Sequence, residues 1–392
     1  MASSAYGSAS VPIVAAANYS ATVGMVGAGQ LARMCQRAAI DLAVRLEVLA
    51  ASEHDPAAHA GAPATIGDPL DPDAVAAFAS GVDVVTLDHE LVSAEGLRSA
   101  EAAGTPVVPH PEALRFAQDK LFARTELARR GHPVPAFRAA ASFDDVVGFA
   151  DEHGWPVVLK MATTGYDGRG VEIVADEDAA AAVVAREGTW VAEEYLDLAM
   201  ELAVLVVRRP SGQIRVYPVV ETVQDDGICV ELVMPARAPE GIAERAAELA
   251  RSVVEEIDAS GNVAVELFVT RDGRLLINEF AMRPHNSGHA TIEGAVTSQF
   301  HNHLRAVLDW PLGATDLVAP AVAMVNLLGS GGESAAMRNL PEALAVDGAA
   351  IHLYAKEERV GRKIGHVTAL GDTVDEALGI ARRAVAILRG AT

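Results

Sequence analysis

The stretch "VAVELFVTRDGRLLINEF", residues 263–280, constrains this chain more than any other. Its flanks are rich in β-branched and aromatic residues, and Asp272-Gly273 between them is a two-residue hairpin signal. A loop of those two residues pairs Arg271 with Arg274, and counting outward sets Glu266 directly opposite Glu279. Directly opposed side chains lie about 4.5–5.5 Å apart at Cβ, where like charges repel. Two carboxylates facing each other among Val, Leu, Ile and Phe therefore call for a cation. Oxygen ligands in that arrangement suit Mg²⁺, which takes one or two carboxylates and completes its shell with phosphates and water. The alternative is a solvated pair on the wet side of a sheet.

A phosphate-binding element lies upstream in "VVLKMATTGYDGRGV". Lys160 ends an apolar strand, and the loop after it contains Gly165, Gly168 and Gly170. Glycines let backbone N–H groups approach phosphate oxygens, and a lysine at the mouth adds a point charge. No G-K-[ST] follows, so this is not a Walker A loop, and a plain turn between strands is the competing reading. The next strand, "WVAEEYL", ends in Glu193 and Glu194, and Glu201 sits in "MELAV". These acids are placed to accept hydrogen bonds from an adenine amino group and ribose hydroxyls, or to serve as paired surface acids.

The rhythm of the chain changes twice. From Thr22 to about Asp119, short apolar strands alternate with helical stretches, the βαβ pattern of a parallel, doubly wound sheet. From Lys120 to Pro311 the strands are longer and clustered with few helices between them, which predicts α+β with antiparallel sheet. Residues 312–392 read as short strands followed by a helix over about 373–389. The expected division is a disordered tail over 1–21, a Rossmann-like domain over 22–119, a middle domain over 120–311 with a lid subdomain over 137–197, and a small C-terminal α/β segment over 312–392. A chain of 392 residues is long enough for each to have its own core.

Composition excludes several classes. The net charge of -22 disfavours nucleic acid and anionic membrane surfaces as partners, so anionic small molecules need local basic clusters or a divalent metal. No apolar run approaches the roughly 20 residues of a membrane span. The start of the chain has no basic region typical of a secretory leader, and Cys35 and Cys229 make no disulfide framework; both point to the cytoplasm.

"VGMVGAGQLARM", from Val23, fits the G-x-G-x-x-G/A turn through Gly27, Gly29 and Ala32, and Glu53 follows at the distance of a ribose-binding acid. Alone this would suggest an NAD-dependent dehydrogenase. It leaves the rest of the chain unused.

Together, a lysine on a strand, a glycine-rich lid, a Glu-Glu hinge and two metal carboxylates on a hairpin are the parts of an ATP-grasp fold. The sequence resembles the N5-carboxyaminoimidazole ribonucleotide synthetase family, through "GAGQLARM", "QDKLFAR", "GYDGRG", "VAVELF", "NEFAMRPHNSGH", "EGAVTSQF" and "LYAKEERVGRKIGH". The resemblance runs from about Thr22 to the final helix. It implies ATP-dependent carboxylation of 5-aminoimidazole ribonucleotide by bicarbonate, with Mg²⁺ as cofactor and a homodimer as the assembly. It assigns Lys120 and Lys160 to phosphates, and Gly165, Tyr166, Asp167, Gly168, Arg169 and Gly170 to the lid over them. Glu193, Glu194, Tyr195 and Leu196 become the adenine hinge, Glu201 the ribose acid, and Glu266 and Glu279, with Asn278, the metal site.

The resemblance also implies that Arg283 and His285 hold bicarbonate, with Asn286 fixing its orientation. Tyr166 and Asp167 reach the imidazole, Asp167 as candidate general base. Lys356 and Arg362 would hold the ribonucleotide phosphate, whereas Arg359 reads as a solvated charge. The "GAGQL" turn then faces the ribonucleotide in place of NAD, with Gln30 and Glu90 as contacts, and Glu53 becomes a surface acid. A zinc pair of His285 and His289 is disfavoured by Pro284 and Gly288, and a structural His289 is expected. Three departures from the family pattern stand out: Asp88 where a longer acid is usual, Thr164 before Gly165, and Gln224 where a histidine is common. The competing functions are another ATP-grasp ligase, such as a formate-dependent transformylase, and a non-catalytic nucleotide-binding regulator.

Overall fold

The computed structural model describes residues 21–163, 170–186, 188–331 and 335–390. The tail before residue 21 and the lid residues Thr164, Gly165, Tyr166, Asp167, Gly168 and Arg169 lie outside the described residues.

Among the described residues, three sheets follow one another along the chain. The first comprises β1 (Thr22–Val26), β2 (Arg45–Ala50), β3 (Ala64–Ile66) and β4 (Val84–Leu87), all parallel in the order β3-β2-β1-β4. This is the βαβ sheet expected of the first segment. Its central strand β1 is almost wholly apolar, as a strand covered on both faces must be. The helix Gln30–Asp41 buries Leu31, Met34, Cys35 and Ala38, a stripe at helical spacing.

The second sheet holds β5 (Phe137–Ala140), β6 (Val157–Met161), β7 (Val171–Val174) and β8 (Trp190–Glu194), antiparallel in the order β5-β8-β6-β7. Helices Phe143–His153 and Glu177–Val184 cover it around a core of Val146, Phe149, Leu159 and Trp190. Ser142 and Asp145 form a reciprocal capping box at the first of these helices.

The third sheet is nine-stranded: β9 (Leu198–Arg208), β10 (Ile214–Val216), β11 (Val220–Asp225), β12 (Ile228–Met234), β13 (Gly261–Thr270), β14 (Leu275–Ala281), β15 (Ala321–Leu328), β16 (Ala349–Leu353) and β17 (Lys363–Gly371). Its order is β14-β13-β9-β11-β12-β15-β17-β16, with β10 on β9. The run "IRVYPVV" is split between β10 and β11 at Pro218, which has no N–H for a ladder. Strands β15 to β17 of the C-terminal segment continue this sheet and carry the helix Val374–Arg389.

The middle segment is richer in helix than its strand-heavy sequence suggests. Besides the two lid helices it contains Lys120–Arg129, Ile242–Glu256 and Gln299–Val307. Ile242, Ala246, Ala250 and Val253 form a narrow stripe on a charged helix, easily overlooked beside continuous apolar strands. The helix Gln299–Val307 joins domains: Phe300 and Leu304 share a core with Leu31 and Cys35 of the first segment and with Tyr354. Among the described residues no helix is long and apolar enough to cross a membrane.

The hairpin β13–β14 reaches the expected pairing by a different route. The loop is three residues, Arg271 to Gly273, because the Thr270 N–H donates to the Arg274 carbonyl at 3.0 Å and Gly273 takes a left-handed φ of +87°. That register pairs Leu267 with Ile277. A bulge at Asn278 then shifts the ladder by one residue and restores Glu266 opposite Glu279. The two-residue loop is corrected; the facing acids stand.

Candidate active site

A cleft of about 1450 Å³ opens where the three sheets meet. Lys120, Lys160, Glu201, Glu266, Glu279, Arg283, His285, Lys356 and Arg362 all line it, drawn from segments far apart in sequence. Gln30, Glu90, Glu193, Glu194, Tyr195, Leu196, Asn278 and Asn286 line it too.

Lys160 projects from β6 toward β14. Its Nζ lies 2.9 Å from Glu193 Oε2 and donates to Asn278 Oδ1 at 2.9 Å. An ammonium has three donors, so among the described residues one remains for an anion in the cleft. On the other side of Glu193, Arg124 Nε donates to Oε1 at 2.7 Å while its Nη1 donates to the Asn278 carbonyl at 2.6 Å. Burial alone would raise the Glu193 carboxyl, but Lys160 and Arg124 outweigh it and hold the group down at about 2. Both oxygens of this side chain meet internal cations. Glu194 is likewise committed, to Arg274 at 3.0 Å and to the Ala136 N–H at 2.9 Å. Any hinge contact therefore falls to the backbone around Tyr195 and Leu196, where the chain leaves β8.

The acids behave differently. Glu201 is pushed up to about 7, by burial first and then by Glu279 against the pull of Lys160. Glu266 is also raised, by burial, then by Glu279 and Glu201. In this poorly solvated corner Glu201 and Glu266 hold their protons more tightly unless a cation joins them. No group of three His, Cys, Asp or Glu side chains among the described residues forms a ready-made metal cage. A bulged strand presenting Glu279 and Asn278 beside Glu266 nevertheless suits Mg²⁺, which needs few protein ligands when phosphates supply the rest. Lys120 is lowered by burial, with Glu279 opposing that shift.

The segment after β14 carries the next groups. Glu90 accepts from Arg283 Nε at 2.9 Å and from the Met282 N–H at 3.2 Å. Glu90 lines the cleft, where a substrate contact is expected of it, and it also aims Arg283. His285 Nε2 lies 3.3 Å from Glu266 Oε1, and its Nδ1 meets Ser287 Oγ at 2.8 Å. Asn286 exchanges two amide hydrogen bonds with Asn326, at 3.0 and 2.9 Å, so its side chain is largely committed to the fold. His285 and His289 are not one helical turn of a zinc pair, since a single 3₁₀ turn, Asn286–Gly288, separates them. His289 is fully buried and its pKa is lowered well below the usual range by that burial, as expected of a structural, neutral histidine.

Across the cleft, Lys356 Nζ donates to Gln30 Oε1, which joins two residues expected to share one ligand. Arg362 Nη1 donates to the Glu357 carbonyl at 3.2 Å, and Arg359 pairs with Glu357 on the exposed surface, the solvated charge expected of it. Gln224 donates to Thr222 Oγ1 at 3.5 Å on the cleft wall.

The "GAGQL" turn lines the cleft, and two of its amides carry an anion from the chain itself. Asp88, at the end of β4, lays its carboxylate over the helix start: Oδ2 accepts from Gly29 N–H at 2.8 Å and Oδ1 from Ala32 N–H at 2.7 Å. A Cβ on Gly29 would meet Asp88 Oδ2 at 2.5 Å. The glycines thus admit an internal anion to two amides of this helix start, because a helix N-terminus takes whichever anion is nearest. Arg124 is a site residue that sequence reasoning misses. Its only signal is a basic residue one turn beyond Lys120 on the same helix.

Comparison with known proteins bears on the whole chain. Residues 20–118 match a ribonucleotide synthetase preATP-grasp domain, 125–300 an ATP-grasp domain, and 322–379 a phosphoribosylaminoimidazole carboxylase C-terminal domain. The N5-carboxyaminoimidazole ribonucleotide synthase of Mycobacterium tuberculosis is 46% identical over 368 residues, covering 90% of this chain and 84% of that protein. That of Corynebacterium ammoniagenes is 40% identical over 377 residues, 93% and 91% of the two chains. The Aspergillus clavatus N5-carboxyaminoimidazole synthase, solved with ADP and 5-aminoimidazole ribonucleotide, superposes with a TM-score of 0.88 at 32% identity, covering 94% of this chain and 99% of its own.

Proposed function

The chain belongs to the N5-carboxyaminoimidazole ribonucleotide synthase family, ATP-grasp ligases of purine biosynthesis, and from that premise we propose how its residues divide the reaction. The substrates are ATP, bicarbonate and 5-aminoimidazole ribonucleotide; the products are N5-carboxyaminoimidazole ribonucleotide, ADP and phosphate.

Bicarbonate is a poor electrophile because hydroxide leaves poorly. Transfer of the γ-phosphoryl group to a bicarbonate oxygen creates a phosphate leaving group, and the exocyclic amine then attacks the carbon as phosphate departs. Lys120 and Lys160 are the phosphate cations, and Glu193 with Arg124 fixes where the Lys160 ammonium points. Glu266 and Glu279, with Asn278, would hold Mg²⁺, which neutralises charge on the transferred phosphoryl group when bound. Arg283, aimed by Glu90, and His285 hold bicarbonate beside that corner. Lys356, Gln30 and Arg362 take the ribonucleotide. Asp167 receives the amine proton in this scheme, on sequence grounds alone.

The observation that carries the reading is the convergence of Lys160, the facing acids, the Arg283–His285 segment and the Lys356–Gln30 pair on one cleft. Nucleotide phosphates and acceptor amine can meet there without crossing solvent. The enzyme is further proposed to be a cytoplasmic homodimer. The test is ADP release with Mg-ATP, with bicarbonate and 5-aminoimidazole ribonucleotide supplied together and singly. Release that needs both, with a carboxylated product, supports the ligase; release that follows formate and glycinamide ribonucleotide instead would transfer the assignment to a transformylase.

A further inference from the structure

The motif "EGAVTSQF" has no chemical role in the scheme above, yet its glutamine sits at the centre of the site's support. Gln299 is fully buried at the first turn of the helix Gln299–Val307. Its side-chain amide faces the backbone of His285: Oε1 accepts the His285 N–H at 2.9 Å, and Nε2 donates to the His285 carbonyl at 2.7 Å. One primary amide thereby supplies both halves of a ladder rung to a residue that belongs to no strand. Only one orientation of the amide, oxygen toward N–H and nitrogen toward carbonyl, makes both bonds.

The surroundings are built for this contact. Asn262, also fully buried, donates to the Arg283 carbonyl at 3.1 Å and approaches Gln299 Oε1 at 3.4 Å, so two amides tie down alternate residues of one short segment. Gln299 Nε2 also meets His289 Nδ1 at 3.3 Å. A Cβ on Gly288 would lie 2.3 Å from Gln299 Oε1, so a glycine is required for the carboxamide to lie where it does. The helix carrying Gln299 packs between the first segment and the large sheet, a rigid base for an irregular loop.

We propose that Gln299 is the positioning residue of the bicarbonate site, acting through the His285 backbone to hold the imidazole against Glu266. The inference rests on the proposed bicarbonate role of His285. It goes beyond that role in naming what sets the geometry. Gln299 is fully buried, so its loss acts by letting His285 move, and displacements of about 1 Å can cost on the order of 100-fold in rate.

The experiment measures ADP release by the full-length enzyme at saturating ATP and acceptor ribonucleotide while bicarbonate is varied. It compares wild type, Q299M, Q299E, H285A and the double variant Q299M/H285A. Methionine matches the length of glutamine and removes both bonds; glutamate keeps an acceptor for the N–H but has no donor for the carbonyl. Q299M is expected to lower kcat/KM for bicarbonate by about 30-fold while the KM for ATP changes little, by the positional scale above. Q299E should fall on the same side. In the H285A background, adding Q299M should cost less than about 3-fold, since the residue it positions is gone.

Equal losses from Q299M with and without His285, or equal effects on the ATP and bicarbonate dependences, would overturn the inference in favour of a general structural role. If H285A impairs the enzyme but folded Q299M and Q299E do not, the inference fails while the bicarbonate reading survives. If H285A is silent, the bicarbonate reading itself fails, and this inference with it. Should Q299M not fold, Q299E in the two backgrounds carries the same comparison.

Discussion

Glu193 keeps its charge in a nearly dry site because two cations meet it, and that pairing is testable through pH. With its pKa held at about 2 against an ordinary value near 4.5, it contributes stability that is complete above the ordinary value and lost as pH falls toward the folded one. Glu193→Gln leaves Lys160 and Arg124 buried without their anion, which should cost about 3–5 kcal/mol at pH 7. Urea unfolding should find the gap between wild type and variant narrowing between pH 5 and pH 3. A constant gap would mean that lost packing, and not charge, sets the cost. At the catalytic corner, Glu279→Gln removes one facing carboxylate and should lower turnover by at least roughly 100-fold with the fold intact, the scale of losing a transition-state charge contact. Near wild-type turnover at limiting Mg²⁺ would remove Glu279 from the metal site.

At the scale of elements, termini and irregularities do the placing. The helix Gln30–Asp41 begins against Asp88 and so is already neutralised by its own chain. Asp88→Ala strands the Gly29 and Ala32 amides and should destabilise the protein by about 1–3 kcal/mol, read from the shift in urea midpoint at constant slope. No shift would show that another anion reaches those amides. The bulge at Asn278 does for the hairpin what the Asp88 cap does for the helix: one residue out of register decides which side chains share a face. Both features are local, yet neither follows from local propensity. Asp88 lies some sixty residues from the helix it caps, and the loop and bulge of the hairpin offset each other in a way that composition does not encode.

Over the whole molecule, an acidic chain must gather its few cations to attract anionic substrates. It does so by closing three sheets on one cleft, with the helix Gln299–Val307 bridging the first segment and the large sheet. Lys356 reaches Gln30 from the far end of the sequence and Arg362 lines the same cleft, so the proposed acceptor and nucleotide sites draw on different segments. Arg362→Ala should therefore weaken the apparent affinity for the acceptor ribonucleotide several-fold more than that for ATP, in initial-rate measurements with each substrate varied. Equal weakening of both would indicate a disturbed fold and remove Arg362 from the acceptor site.

The sequence alone determined the βαβ start, the strand-rich middle, the facing pair Glu266 and Glu279 and the family, because these rest on periodicity and on short motifs whose chemistry is local. Tertiary structure decided what each charged group is for. Glu193 and Glu90 read in sequence as acids without partners, and only the fold brings Lys160 and Arg283 to them. Gln299 and Arg124 carry no motif chemistry and gain their roles from partners more than ten residues away. A charge or an amide can be read from sequence, but which neighbour satisfies it is fixed by packing, because in a poorly solvated site the nearest complementary group takes the place of water.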